Sequence, residues 1–546
     1  MKKKKKKAIA VVAGACALGM LLSGCGGSGD ASNNASGGNI ITAYNSEPQN
    51  ALIPGDTNET GGGKVGQLLF ANLVRYDSKG DTKMEVAESI EPNKDATQYT
   101  VKLKDGWKFT DGTPVTAESF TKSWSYTANA KNAQKCSSFF SSIKGYDDLQ
   151  KDGLKGDEQL VGLKVVDDKT FTIDLNAPDS VFPVKIGYLA FAPLPESFYK
   201  DPKAFGEKPV GNGMYKLDKW DHNSQIVLTK NADYKGEEKP KNDGVTFKIY
   251  TSPDSAYADV QAGNLDVMDT VPAANTKTFE KDSSVEAYNK AGSVIQTFTM
   301  PAGMKHWETS TKEGQLRRQA LSMAIDREQI VSKVLNGVGT PATDFTAPVI
   351  PGYSKDLKNA KYLKANPAEA KKLWAEAEAI SKWDGTLTFA FNADGGAQPI
   401  YDAIVNQVKN NLGIKAATSP MPTFQEFRNA VSDRKIEGAF RTGWQPDYPS
   451  AENYLYQLYD SAAADGHGAN DGDYKNAEVD ALLAKAASAT NDDEQIDFYH
   501  QAEEILLEQL PAVPLYYSNA DGVAAKGVKG FEMDWQNQPI YENMTK

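Results

Sequence analysis

The sequence predicts an α/β protein of two or three lobes, and three observations carry that expectation. The chain has 546 residues, well past the roughly 250–300 at which one hydrophobic core stops growing. Its first half alternates polar and apolar residues in short runs around turn residues, the pattern of strands and hairpins. Its second half passes in turn between β-rich runs and stretches with apolar residues at helical spacing, the pattern of βαβ units. With 40% hydrophobic and 24% charged residues, the composition is that of a globular chain and excludes a disordered or multi-span membrane protein.

The elements follow in chain order. Residues 98–109 (QYTVKLKDGWKF) alternate around Asp105-Gly106, and 160–175 around Asp167-Asp168, so both read as hairpins. Between them TAESFTKSWSYTANA reads as a helix entered from Thr116, and strands are expected at 214–217, 225–230 and 245–250. A helix is expected over 316–335, and Asn366-Pro367 supplies a cap and a first-turn proline for another reaching about residue 382. Then come strand TLTFAFNA, helix IYDAIVNQVKNNLG stopped by Gly413, strand IKAATSP, helix TFQEFRNAVSD with Thr423 and Glu426 at capping-box spacing, and strand EGAFRTGW. That is a βαβαβ unit. Ligands of open parallel sheets bind beyond the carboxyl ends of the strands, which makes Trp444, Asp447 and Tyr448 site candidates. A long amphipathic helix over 492–510, ended by Pro511, precedes a strand at 513–517.

The N-terminus carries its own instructions. Six lysines (Lys2 to Lys7) and the apolar run 8–22 form the n- and h-regions of a secretory signal, and fifteen residues is too short to span a bilayer as a helix, which takes about 20. Leu22-Ser23-Gly24-Cys25 looks like a bacterial lipobox, so residues 1–24 are expected to be removed and Cys25 to be acylated. Residues 26–39 (GGSGDASNNASGGN) then form a tether with an r.m.s. reach of roughly 20 Å. The net charge is −12, and without the six lysines it is −18. So acidic a body argues against nucleic acid as a partner. Of three cysteines, Cys136 is left without an intramolecular partner, and a buried thiol is preferred to a reactive one.

Several motifs invite chemistry. Gly61-Gly62-Gly63-Lys64-Val65-Gly66 fits G-x-G-x-x-G before an expected helix over 67–73, but the preceding PGDTNET is no buried strand, so a loop admitting a ligand backbone is preferred to a dinucleotide site. Ser119 and Lys122 fit the S-x-x-K of penicillin-recognising enzymes, although no K-T-G follows; an exported serine hydrolase is the competing function of a different class. The histidines His222, His306, His467 and His500 are scattered, and the acidic loop 465–473 lacks the calcium-loop order, so no metal and no cofactor is expected. Aromatics gather at Phe139-Phe140, Trp444-Tyr448 and 454–459; Arg441 and Asp447 flank Trp444, a cation and a carboxylate that could grip a zwitterion.

Eight stretches, in order, then carry a resemblance: Ser46-Glu47-Pro48-Gln49, LLFANLVRYDSKG (68–80), WKFTDGTPVTAESFTKSW (107–124), PVGNGMYKLDKW (209–220), VQAGNLDVMD (260–269), RRQALSMAIDREQIV (317–331), RTGWQPDYPSAENYL (441–455) and AEEILLEQLPAVPLYY (502–517). With these the chain resembles the family 5 solute-binding proteins of peptide ABC importers. The resemblance implies a periplasmic-binding-protein-like two-lobed clamshell with an additional domain (cluster C type), closing by a hinge on its ligand. Projected here, lobe I takes 40–72, 208–296 and 516–546, the additional domain 73–207, and lobe II 297–515. It implies Asp447 as the partner of a peptide α-ammonium, Arg441 as a partner for the ligand carboxylate, Glu59 near the peptide N-terminus, and Phe139 or Phe140 lining the pocket, with Trp444 and Tyr448 beside them. A lipid-anchored monomer delivering short peptides to a membrane permease and its ATPase is expected, at the outer face of the cell membrane. An oligosaccharide stacked on Trp444 is the alternative ligand.

Overall fold

Two strands far longer than the usual 5–6 residues, Val285–Thr299 and Ala512–Ala525, run antiparallel through the middle of one 11-stranded sheet. The computed structural model describes residues 38–546; the expected signal segment, Cys25 and the tether up to residue 37 lie outside the described residues. At one end of the long pair, Val285 opposite Ala525, the sheet continues through Val267–Met268, Ile40–Asn45, Gly244–Ile249, Gln225–Lys230 and Tyr215–Asp221. At the other end, Thr299 opposite Ala512, it continues through Ala439–Trp444, Thr386–Asn392 and Lys415–Met421. The pairing register breaks between Ala291 and Ile295. There Gly292 passes so close to the other strand that a Cβ would stand 2.7 Å from the Ser518 carbonyl oxygen.

Each end of the sheet has its own core. Ile41, Leu228, Val245, Phe247 and Val267 pack the first lobe. Phe298, Phe389, Phe391, Tyr401, Ile404 and Val408 pack the second, where a helical layer adds Leu455, Leu482, Tyr499 and Leu506. A third core, Tyr99, Phe120, Trp124, Phe140, Phe171 and Phe191, belongs to the additional domain with its four-stranded antiparallel sheet. The domain is stitched to the second lobe: Ser180 donates from its backbone N–H to the Ala487 carbonyl at 2.9 Å and from its hydroxyl to that of Ala486 at 2.8 Å.

The βαβαβ unit forms as its caps and spacing dictate. Thr386–Asn392 pairs in parallel with both Lys415–Met421 and Ala439–Trp444. The Thr423 hydroxyl accepts from the Glu426 N–H at 3.2 Å, and Gly413 stops its helix at a φ of 73°. The 160–175 hairpin and the Thr116 entry also form, the latter as a capping box with Ser119.

Three expectations change. Residues 98–109 are no hairpin: Gln98–Leu103 lies mid-sheet with Ala87–Pro92 and Thr170–Asp174 on its two edges, and Lys108 bridges to Pro114 instead. The expected 316–335 helix is Lys312–Met323 followed by a separate turn, because the Asp326 carboxylate accepts the Gln329 N–H at 2.9 Å and starts a new helical segment. The glycine run is helix rather than loop: Thr60–Leu69 begins before it, capped by Glu59 accepting from the Gly62 N–H at 2.8 Å.

Candidate ligand-binding cleft

Asp447 lies three residues past the carboxyl end of Ala439–Trp444, where the parallel arrangement points. Asn453, buried in the first turns of Ala451–Tyr459, fixes the turn between them: its Oδ1 accepts the Trp444 indole N–H at 2.8 Å and the Asp447 backbone N–H at 3.0 Å. The Asp447 carboxylate is half-buried, and burial lifts it to about 6, with the Glu452 charge adding to the rise. Asn453 opposes the rise, and Asp447 forms no ion pair among the described residues. A carboxylate held in this state is stabilised by any cation that reaches it.

The surroundings of Asp447 come from other parts of the chain. The Tyr76 and Tyr188 phenols and the Cys136 thiol are all close enough to feel its charge. Phe139 stacks on Tyr188 with ring centroids 4.4 Å apart, an aromatic pair within the additional domain. Behind that turn sits a buried ion cluster: Lys185 Nζ lies 2.8 Å from Asp179 and 3.2 Å from Glu452, and Glu452 accepts the Tyr448 hydroxyl at 2.6 Å.

The other candidates separate. Arg441 and Trp444 point to opposite faces of their strand; the guanidinium reaches Asn392 and Gln296, each at 3.4 Å, and forms no ion pair among the described residues. Arg441 is therefore a free charge on the same strand, but not beside Asp447. Tyr448 is buried in the ion cluster, and Trp444 packs half-buried against the core that holds Ile295 and Trp535. Glu59 is occupied as a helix cap and also accepts the Gln49 N–H at 3.2 Å. Phe140 corrects one expectation: fully buried between Trp124 and Phe191, it offers nothing to a ligand, which leaves half-buried Phe139 as the accessible member of the pair. Sequence reasoning missed Tyr76, Tyr188, Asn453 and Lys185, which are unremarkable in the chain and meet only through its fold.

The competing chemistry does not assemble. The Ser119 hydroxyl accepts the Thr116 N–H in the capping box, while Lys122 Nζ lies on Glu196 at 2.6 Å and Glu118 at 3.1 Å. In the acidic loop Asp465, Asp471 and Asp473 pair with Lys475, Arg428 and Arg434. Cys136 is buried, and burial pushes its thiol up to about 12, far from a nucleophile.

The description "Bacterial extracellular solute-binding proteins, family 5 Middle" matches residues 81–466. The chain belongs to this family. Among family 5 relatives, it is 25% identical to the oligopeptide-binding protein OppA of Bacillus subtilis, over 98% of this chain and 96% of that one. It is 29% identical to the periplasmic oligopeptide-binding protein OppA of Salmonella typhimurium, over 83% and 82%. The unliganded open form of the periplasmic murein tripeptide-binding protein MppA, 25% identical, superposes with a TM-score of 0.81 over 93% of this chain and 96% of that one. Another structure of MppA, from Escherichia coli, reaches only 0.67 over 93% and 98%.

Proposed function

We propose that this chain is the extracytoplasmic receptor of an ABC importer and binds short peptides between its two lobes, without chemistry of its own. The observation that carries the reading is Asp447: a half-buried carboxylate just past a strand end, with no ion-pair partner among the described residues. The relatives named for oligopeptides support it. A peptide ammonium would supply the missing charge, and an extended peptide would add to backbone groups between the lobes while open pockets take varied side chains. Arg441 would meet the carboxylate of peptides of one length. The division into 40–72 with 208–296 and 516–546, 73–207, and 297–515 fits this use, with bending at the register break by Gly292. Acylation of Cys25 would hold the receptor at the membrane, beside its permease, as a monomer.

A thermal-shift screen tests the ligand class. Ligand at 100 times its Kd adds about 2.7 kcal/mol of stability, so a mixed set of three- to six-residue peptides should raise the melting temperature and oligosaccharides should leave it unchanged. The reverse pattern would replace the peptide with a sugar.

A further inference from the structure

Between the first lobe and the additional domain lies a cavity of about 290 Å³, walled by Tyr76, Tyr188, Met214 and Trp535. It lies near the Asp447 turn: Tyr76 on its lining packs in one cluster with Trp535 and with Trp444, three residues before Asp447, and a Cβ at nearby Gly80 would stand 2.8 Å from the Pro449 side chain. Its charge is unbalanced. Of the two cations on its lining, Lys64 is paired with Asp269, and Arg75 with Glu238 at 2.9 Å and Glu85 at 3.3 Å. The carboxylates of Asp534 and Glu542, also on the lining, have no ion-pair partner among the described residues. Asp534 accepts the N–H groups of Gln536 and Gln538, each at 2.9 Å and both at Oδ1, so Oδ2 has no hydrogen bond. Glu85 is only 2% exposed; the Tyr234 hydroxyl takes its Oε1, whereas Oε2 accepts no hydrogen bond and meets only Arg75. Burial raises all three carboxyls; Arg75 partly offsets the rise at Glu85 and Glu542, and no cation offsets it at Asp534.

We infer that this cavity is a specificity pocket for the basic side chain, arginine or lysine, of the first residue of a bound peptide. The inference rests on the peptide reading above: an ammonium held at Asp447 sets the adjoining side chain at the mouth formed by Tyr76 and Tyr188. A long cationic side chain then reaches Asp534 and Glu542, its stem or guanidinium plane lying along the Trp535 and Tyr76 rings. A neutral side chain leaves the carboxylates as they are, and an acidic one adds a like charge.

The test is calorimetry in mildly alkaline buffer with Ala-Ala-Ala, Arg-Ala-Ala, Glu-Ala-Ala and Ala-Ala-Arg, on the full chain and on Asp534→Asn, which keeps the Oδ1 acceptor. On the unaltered protein Arg-Ala-Ala should bind about ten-fold or more tighter than Ala-Ala-Ala, the scale of one hydrogen bond to a charged group. Ala-Ala-Arg should show no such gain, and Glu-Ala-Ala should bind more weakly. In Asp534→Asn the ratio between Arg-Ala-Ala and Ala-Ala-Ala should collapse. Equal binding of the four peptides, or a ratio that survives the substitution, overturns the pocket while the peptide reading stands. If none of the four binds, the peptide reading fails and the pocket with it. The comparison among peptides on the unaltered protein needs no variant, so a poorly folding substitution leaves the outcome decisive.

Discussion

At the scale of single residues, Phe139 and Phe140 show how adjacent side chains take unrelated work. Phe140 fills the additional-domain core, whereas Phe139 lies half-buried on Tyr188. Phe140→Ala should therefore cost about 3–5 kcal/mol of stability, read as a drop in the denaturant midpoint. Phe139→Ala should barely move that midpoint and should weaken peptide binding; an exchange of the two effects would reverse the assignment. The pair was legible in the sequence only as two aromatics, since nothing local says which of two neighbours in a short turn faces inward. Asp447 was more legible because the strand-end rule needs only chain order and periodicity. What the sequence withheld was its setting: Tyr76 and Tyr188, far away in the chain, come within reach of the Asp447 charge only through the fold, and the hold of Asn453 on the turn shows only once the helix it sits in is placed.

At the scale of elements, the additional domain bears on the Asp447 turn through Lys185. Its ammonium sits between Asp179 and Glu452, both largely buried, and those carboxylates hold it charged against the burial that opposes it. Removing one member of a buried ion cluster strands the others, at about 3–5 kcal/mol. Lys185→Met should lose that much stability with little dependence on salt, since buried pairs are poorly screened; a loss that salt abolishes would place the cluster in solvent. The same variant should raise the Asp447 carboxyl further, because Glu452 would lose its counter-charge. Elements with strong caps and one clear period, such as those ending at Gly413 or starting at Thr423, could be read from the sequence. The 98–109 run could not, because alternation fixes a strand but not its neighbour, and the non-local pairing to 170–174 won.

At the scale of the whole molecule, stability carries a pH signature of its own. Asp344 and Glu503 face each other, fully buried, beside Tyr517 of the long central strand, and burial raises both carboxyls. The folded chain thus holds protons more tightly than the unfolded one, so this contribution is complete below the ordinary carboxylate range and is lost as the pH rises past neutrality. Glu503→Gln should stabilise the protein in alkaline buffer by on the order of 1–3 kcal/mol and flatten the fall of melting temperature with pH; an unchanged slope would contradict the coupling. The interrupted ladder by Gly292 fits the proposed closure of two lobes on a ligand. The proposed binding depends on Asp447 receiving a peptide ammonium. The direct measurement is calorimetry of one tripeptide and its N-acetyl analogue on the unaltered protein and on Asp447→Asn. Acetylation and substitution should each cost about 2–5 kcal/mol, and together little more than either alone, because both remove one interaction. Undiminished binding of the free tripeptide to Asp447→Asn would contradict the account.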